Sequence, residues 1–237
     1  MRGLFVTATD TGVGKSVLSA ALLAAMAADG ERVRAHKPAV TGLEDAAEIA
    51  ARGPWPADHE LLAMAAGMAP EDVAPLRYGP AVSPHLAAQL AGVTIDPARL
   101  LANARRHTQP GGTLVVEGVG GLLTPLADDY SVRDLAVALA LPVVIAARPG
   151  LGTINHTLLT LQSARSAGLE VRAVVLTPCA EEPTVLERSN RATIEQVGAV
   201  RVECLGHLAG PALAVLADAG RSLVRALSEP ARGWPPD

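Results

Sequence analysis

Short aliphatic runs alternate along the chain with longer stretches rich in alanine and leucine. Apolar or β-branched runs recur over 4–7, 33–35, 113–116, 143–147, 171–176 and 200–205. Each is short and almost wholly apolar, as expected of a strand buried on both faces. Between them the apolar pattern runs on for helical lengths. Residues 16–29 read as a helix closed by Gly30, and 131–141 as a helix opened by a Ser131/Asp134 capping pattern and stopped ahead of Pro142. Parallel strands need a crossover element and a helix supplies it, so this alternation predicts an α/β fold with a doubly wound, mostly parallel sheet.

Residues 38–112, between the second and third strands, depart from simple alternation. They hold predicted helices over 58–66, 83–91 and 97–106, with Ser83-Pro84 as cap and first turn of the second and Gly92 as its stop. The final stretch, EPARGWPPD over 229–237, reads as a loose proline-rich tail, leaving 1–228 as a single domain. No internal repeat is visible.

Composition narrows the possible partners. At 237 residues and 49% apolar content, the chain suffices for one sizeable core and does not demand a second. Its net charge is −4 and its 20 basic residues are scattered, so neither nucleic acid nor an anionic membrane is an expected partner; small molecules or another protein chain are. No apolar run long enough to span a bilayer is free of charge or proline, and the expectation is a soluble cytoplasmic protein. Cys179, Cys204 and six dispersed histidines give neither a disulfide framework nor a zinc-ligand spacing, and the cysteines read as buried reduced thiols.

In a doubly wound sheet, ligands sit beyond the carboxyl ends of the strands, and the chemically able residues fall there. After the first strand comes ATDTGVGKS and then a helix. In that context the loop N–H groups, from Asp10, Thr11, Gly12, Val13 and Gly14 onward, wrap a triphosphate, with Lys15 on its outer phosphates and the Ser16 hydroxyl on Mg2+. The strict pattern G-x-x-x-x-G-K-[ST] would place glycine at position 9, where this chain has Thr9. Only two of the 20 basic residues are lysine, Lys15 and Lys37, and both end up at the same sheet edge. An ammonium is a compact point charge where a guanidinium is a planar fork, so the choice of lysine suits phosphate or carboxylate oxygens in a tight site. Taken alone, Lys37 would read as a solvated strand-end cation. Glu117 ends the third strand in TLVVEGVGG, where an acid is costly unless solvated or paired, and Mg2+ would pair it. Asp58 is open to two readings, a second metal carboxylate or a helix N-cap.

Taken together, these residues resemble the dethiobiotin synthetase family over most of the chain. That family shows a GTDTxVGKT loop, a KP with a hydroxyl residue four positions after its lysine, an aspartate in the following insertion, SPH, VEGAGG and GLGxINH. The matching stretches here are ATDTGVGKS, KPAVTG, Asp58, Ser83-Pro84-His85, VEGVGG and GLGTINH, in the same order. The resemblance implies a P-loop fold and an ATP-dependent reaction. 7,8-Diaminopelargonate and CO2 form a carbamate, ATP phosphorylates it, and the neighbouring amine closes a ureido ring with release of ADP and phosphate. By the same likeness, Thr11, Lys15 and Lys37 neutralise the carbamate and the transferring phosphoryl group, Thr41 bonds near the carbamate, and Ser16, Asp58 and Glu117 hold Mg2+. It also implies a homodimer in which the backbone of Gly152, Thr153, Ile154 and Asn155 binds the substrate's carboxylate across the interface. Read without the resemblance, that turn is a plain strand-to-helix connection with Asn155 as a cap. His85 and His156 are expected to be neither acid nor base.

Departures from the family mark where the likeness carries less. Ala8 stands for the usual first glycine of the loop, and Thr177 takes the place of an asparagine that often reads adenine, so it is the expected base contact. LGHLAG lacks the proline usual after the sixth strand. Two rivals share the fold class. A partition or cell-division ATPase would carry a further lysine five positions before Lys15, where this chain has Asp10. The synthetase half of a corrinoid amidotransferase is normally fused to a glutaminase domain, for which the length here leaves no room.

Overall fold

The computed structural model describes residues 2–108 and 111–229. All but the first residue of the predicted tail lies outside them. A six-stranded sheet runs in the order β2-β3-β1-β6-β7-β8, every neighbouring pair parallel. Its strands are β1 (Gly3–Ala8), β2 (Arg32–His36), β3 (Gly112–Glu117), β6 (Val143–Ala147), β7 (Val171–Cys179) and β8 (Val202–Gly206). A small antiparallel pair, β4 (Pro125–Ala127) and β5 (Tyr130–Ser131), was not foreseen, being too short to leave a periodic signal. The long crossovers carry α1 (Lys15–Ala28), α7 (Val132–Leu139), α8 (Thr153–Ser166) and α9 (Val185–Gly198), and α10 (Leu213–Ser228) follows the last strand. The insertion holds α2 (Ala46–Arg52), α3 (Asp58–Ala66), α4 (Pro70–Val73), α5 (Pro84–Leu90) and α6 (Pro97–Arg105), of which α2 and α4 are additions to the expected three.

Alternation along the strands divides the core in two. Val6, Val144, Ala146, Ala173 and Val175 face α1, α3 and α10, while Phe5, Val143, Ile145, Val174 and Leu176 face α6, α7, α8 and α9. This explains why the strands read as unbroken apolar runs. Helix boundaries follow local chemistry. Ser131 caps α7 reciprocally with Asp134 as expected, but the helix ends at Leu139 because Ala140 takes a left-handed conformation, φ 51°, two residues sooner than Pro142 alone implied. Ser83 precedes α5 in extended conformation without a side-chain cap bond, so Pro84 at its first turn sets the start. The sixth strand begins at Val202, since Ala199 is left-handed and Val200 closes the turn after α9. Strand β7 continues to Cys179, beyond the expected 176. Cys179 is buried and Cys204 half-buried, both as free thiols.

Helix α1 is buried along nearly its whole length, and α10 approaches it closely at Gly220. Among the described residues no helix is long and apolar enough to cross a membrane.

His36, the last residue of β2, is wholly buried, and neither ring nitrogen has a partner. Its ring lies 5.7 Å from that of His107, which in turn meets Arg106 and the Asp72 carbonyl. Burial, with His107 and Arg106 adding to it, pushes the imidazole down to about 3. An unfolded chain takes up this proton near pH 6.5 and the folded one only near the lower value. Stability from this group is therefore complete above about pH 6.5 and declines by roughly 1.4 kcal/mol per pH unit below it. Urea titrations between about pH 7 and 5 should show a shallower decline for His36→Leu, a change close in volume; an unchanged slope would assign the acid limb to other groups.

Candidate functional site

Connections leaving β1 and β6 diverge, one toward β2 and the other toward β7, which opens a crevice at the carboxyl end between these adjacent strands. The loop after β1 borders it. Thr9 N–H bonds the Ala146 carbonyl at 3.0 Å, Asp10 accepts from Thr11 N–H at 2.7 Å, and Gly12 and Gly14 take φ values of 69° and 92°. A Cβ on Gly14 would stand 3.0 Å from Thr177 Cγ2, so both the positive φ and the packing exclude a larger residue there. Thr177, 2% exposed, thus packs directly against the glycine loop.

Helix α1 begins at Lys15, whose side chain is buried though no carboxylate lies within 4.0 Å of its ammonium among the described residues. Burial, then repulsion by Lys37, lowers its pKa to about 8, with Glu117, Asp58 and Asp10 offsetting part of the effect. The two lysines therefore lie close enough to feel each other's charge.

Lys37 reaches the site through strand register. Because His36 of β2 pairs with Val116 of β3, Lys37 and Glu117 follow at the same level and on the same face. The Lys37 ammonium bonds Glu117 Oε1 and lies 2.9 Å from Asp58 Oδ2. Ser16 Oγ donates to the same Glu117 oxygen at 2.8 Å, while Glu117 Oε2 is buried with no partner. Burial works against a charge on Lys37, but Asp58 and Glu117 outweigh it and raise its pKa. Asp58 is 42% exposed; Lys37 holds its carboxyl below the usual range against the opposing effect of partial burial. Asp58 is not the cap of α3: that position is Ala57, whose N–H bonds Glu60, which leaves the Asp58 carboxylate free for the site.

Ser16, Lys15, Lys37, Asp58 and Glu117 are thus brought together, two ammonium groups facing two carboxylates. Thr41 follows an isolated bridge between Val40 and Arg77 and is half-buried. Gly152 opens α8 with φ 87°; Thr153 is buried against Thr157, Ile154 packs on the core, and Asn155 is exposed. No hydrogen bond or ion pair joins this turn to the lysine cluster among the described residues. Beside the loop lies an open cleft of about 400 Å³, lined by Asp10, Thr11, Gly121, Thr124, Leu159 and Ser163 among others. His85 is half-buried with Nδ1 unpartnered, and His156 is exposed. Among the described residues no cluster of three or more His, Cys, Asp or Glu forms a metal cage. The unpartnered Glu117 Oε2 beside the Ser16 hydroxyl nevertheless suits a hard cation that also takes phosphate and water oxygens.

Sequence reasoning did not single out Arg148 or Asn190. Arg148 donates to the Thr11 and Gly12 carbonyls, and buried Asn190 holds the Pro149 and Gly150 carbonyls. Arg148 had a visible signal, its place directly after a strand in RPGLGTINH; Asn190 lies mid-helix and had none.

Residues 2–213 match a family model described as an AAA domain. The chain is 35% identical over 204 residues to the ATP-dependent dethiobiotin synthetase BioD of Bacillus subtilis, covering 85% of each chain. It is 42% identical over 178 residues to that of Anaeromyxobacter dehalogenans, covering 74% of this chain and 76% of the relative. Among solved structures, the cell division ATPase MinD of Pyrococcus furiosus superposes with a TM-score of 0.55 at 15% identity, over 94% of this chain and all of that one, a likeness of fold alone. With its sheet order, its glycine loop and this degree of identity over most of its length, the chain belongs to the ATP-dependent dethiobiotin synthetase family.

Proposed function

We propose that the protein closes the ureido ring of dethiobiotin from 7,8-diaminopelargonate and CO2 at the expense of ATP. The observation that carries this reading is the buried, unpaired Lys15 ammonium beside a Lys37 already held by two carboxylates. A buried cation with no carboxylate within ion-pair distance is only partly compensated by Glu117, Asp58 and Asp10, so the site favours an incoming polyanion.

One amine of the diamine adds to CO2 and loses a proton, giving a carbamate. A carbamate oxygen then attacks the γ-phosphorus of ATP, and ADP departs. The second amine attacks the activated carbon, phosphate leaves with the oxygen, and the ring closes. Such phosphoryl transfer needs positioning and charge neutralisation more than covalent help from the protein. The N–H groups over Asp10 to Gly14, with Thr11 and Lys15, receive the phosphates, and Thr177 supports the loop from beneath Gly14 on the base side. Lys37 neutralises the carbamate, with Thr41 bonding near it. Ser16, Asp58 and Glu117 are the ligands we assign to Mg2+, which when bound neutralises charge between the terminal phosphates.

The substrate's carboxylate is assigned to the backbone of Gly152, Thr153, Ile154 and Asn155 from a second copy of the chain. Exposed Leu123, Leu151 and Leu159 near that turn and the cleft support a homodimer formed there. A cytoplasmic location fits a substrate set of ATP and a small diamine.

ADP release should require the diamine, dissolved CO2 and Mg2+ together, measured with a coupled ADP assay. Steady ATP turnover indifferent to the diamine would favour a nucleotide switch of the partition or cell-division kind, and a demand for ammonia in place of CO2 would favour the amidotransferase kind.

A further inference from the structure

The two loops that flank the β1/β6 crevice are joined by one side chain. Arg148 is the first residue after β6, and its Nη2 lies 3.3 Å from the Thr11 carbonyl and 3.5 Å from the Gly12 carbonyl. No carboxylate lies within 4.0 Å of this guanidinium among the described residues, so its hydrogen bonds go to the glycine loop alone. A Cβ at Gly12 would stand 3.4 Å from the same nitrogen, an ordinary contact distance, so this glycine is called for by its φ of 69° and not by the room Arg148 needs.

The base from which Arg148 reaches is firm. Asn190, 4% exposed on α9, donates to the Pro149 carbonyl at 2.9 Å and the Gly150 carbonyl at 3.0 Å. On the other side, the Thr9 N–H bond to Ala146 laces the start of the glycine loop to the end of β6. The guanidinium therefore spans a short gap between two anchored backbones.

In a trans peptide the C=O and the following N–H point in opposite directions. Holding the Thr11 and Gly12 carbonyls toward Arg148 turns the N–H groups of Gly12 and Val13 the other way, away from the guanidinium. Successive N–H groups directed to one side form an anion-binding concavity. A glycine at φ 69° has no side chain to enforce that orientation, so an external constraint is what selects it.

We propose that Arg148 is a positioning residue that holds the phosphate loop in its anion-receiving form from the direction of the Gly152 turn. The proposal rests on the loop being a nucleotide site and not on the identity of the second substrate. Arg148 acts through the backbone of Thr11 and Gly12 and need not touch the reacting atoms. Its effect falls on binding, because phosphates already seated in the loop satisfy the same N–H groups that Arg148 orients.

The test compares Arg148→Met, close in length but unable to donate, with Arg148→Lys, which retains a charge and a donor. Calorimetric binding of a non-hydrolysable ATP analogue with Mg2+ should weaken about ten-fold in Arg148→Met, the size of one charge-assisted hydrogen bond, and recover in part in Arg148→Lys. In steady state the loss should appear in KM for ATP and not in kcat, with the melting temperature of the variant unchanged. Wild-type affinity in Arg148→Met would overturn the proposal, as would a fall in kcat at unchanged KM, which would place the guanidinium on the transferring phosphoryl group. A wild-type protein that fails to bind the analogue would overturn the nucleotide-loop reading and this inference with it. Diamine-independent turnover with the expected Arg148→Met defect would sink the ring-closing reading alone.

Discussion

Lys37→Arg should keep ATP binding and lose turnover by about 10²–10³-fold, the cost of misplacing one charge-stabilising group at a reacting centre. Lys37 is 3% exposed, and its ammonium must meet Glu117 Oε1 and Asp58 Oδ2 from one point. A guanidinium distributes its donors over a rigid plane and needs more room, so it can satisfy the carboxylates only by moving its charge away from the carbamate. Lys37→Met is the harsher variant, since it leaves Glu117 buried with only the Ser16 hydroxyl as partner. Removing one member of such a pair costs about 3–5 kcal/mol, and that variant should be unstable as well as inactive. Steady-state rates with the diamine, analogue binding and urea unfolding separate the two effects. Wild-type turnover in Lys37→Arg would reduce the restriction of lysine to two positions to an accident of composition.

Gly220→Ala should destabilise the protein by about 3 kcal/mol, although helix propensity alone predicts a gain of about 1 kcal/mol for the same change. Gly220 lies within α10, and a Cβ there would stand 2.1 Å from the Ala21 carbonyl oxygen and 2.9 Å from Ala25 Cβ on α1. The obstacle is backbone, which no rotamer change relieves. Relief requires α10 to move away from α1, separating Leu216, Leu223 and Leu227 from Leu18 and Leu22. For a domain of this size the melting temperature should fall by roughly 6–12 °C. Because α1 starts at Lys15, a shifted helix also displaces the phosphate loop, and nucleotide affinity should fall in parallel. A rise in melting temperature would mean that the helix contact is looser than the distances state.

The pairing of Lys37 with Glu117 illustrates how much of the site was legible beforehand. Each residue ends an apolar run, so each could be placed at the carboxyl edge of a parallel sheet from pattern alone. Their contact depends on β2 and β3 being neighbours in a register that pairs His36 with Val116. A slip of one residue would send one of the two side chains to the opposite face, and no local signal in either strand sets that register. Asp58 shows the reverse. Its two readings, cap or site carboxylate, were equal in sequence, and the choice was made by chain geometry, which puts Ala57 at the cap position with its N–H donating to Glu60.

Local chemistry by itself determined the strand–helix alternation, the glycine loop at the head of α1, the capped start of α7, and the gathering of Lys15, Lys37 and Glu117 at one edge, because each follows from periodicity, φ preference or charge over a few residues. Strand order, the ammonium shared between Asp58 and Glu117, the backbone approach at Gly220 and the reach of Arg148 to the loop were decided only in three dimensions. They join residues as much as 199 positions apart along the chain, as Ala21 and Gly220 are, and only packing the two faces of the sheet sets such distances.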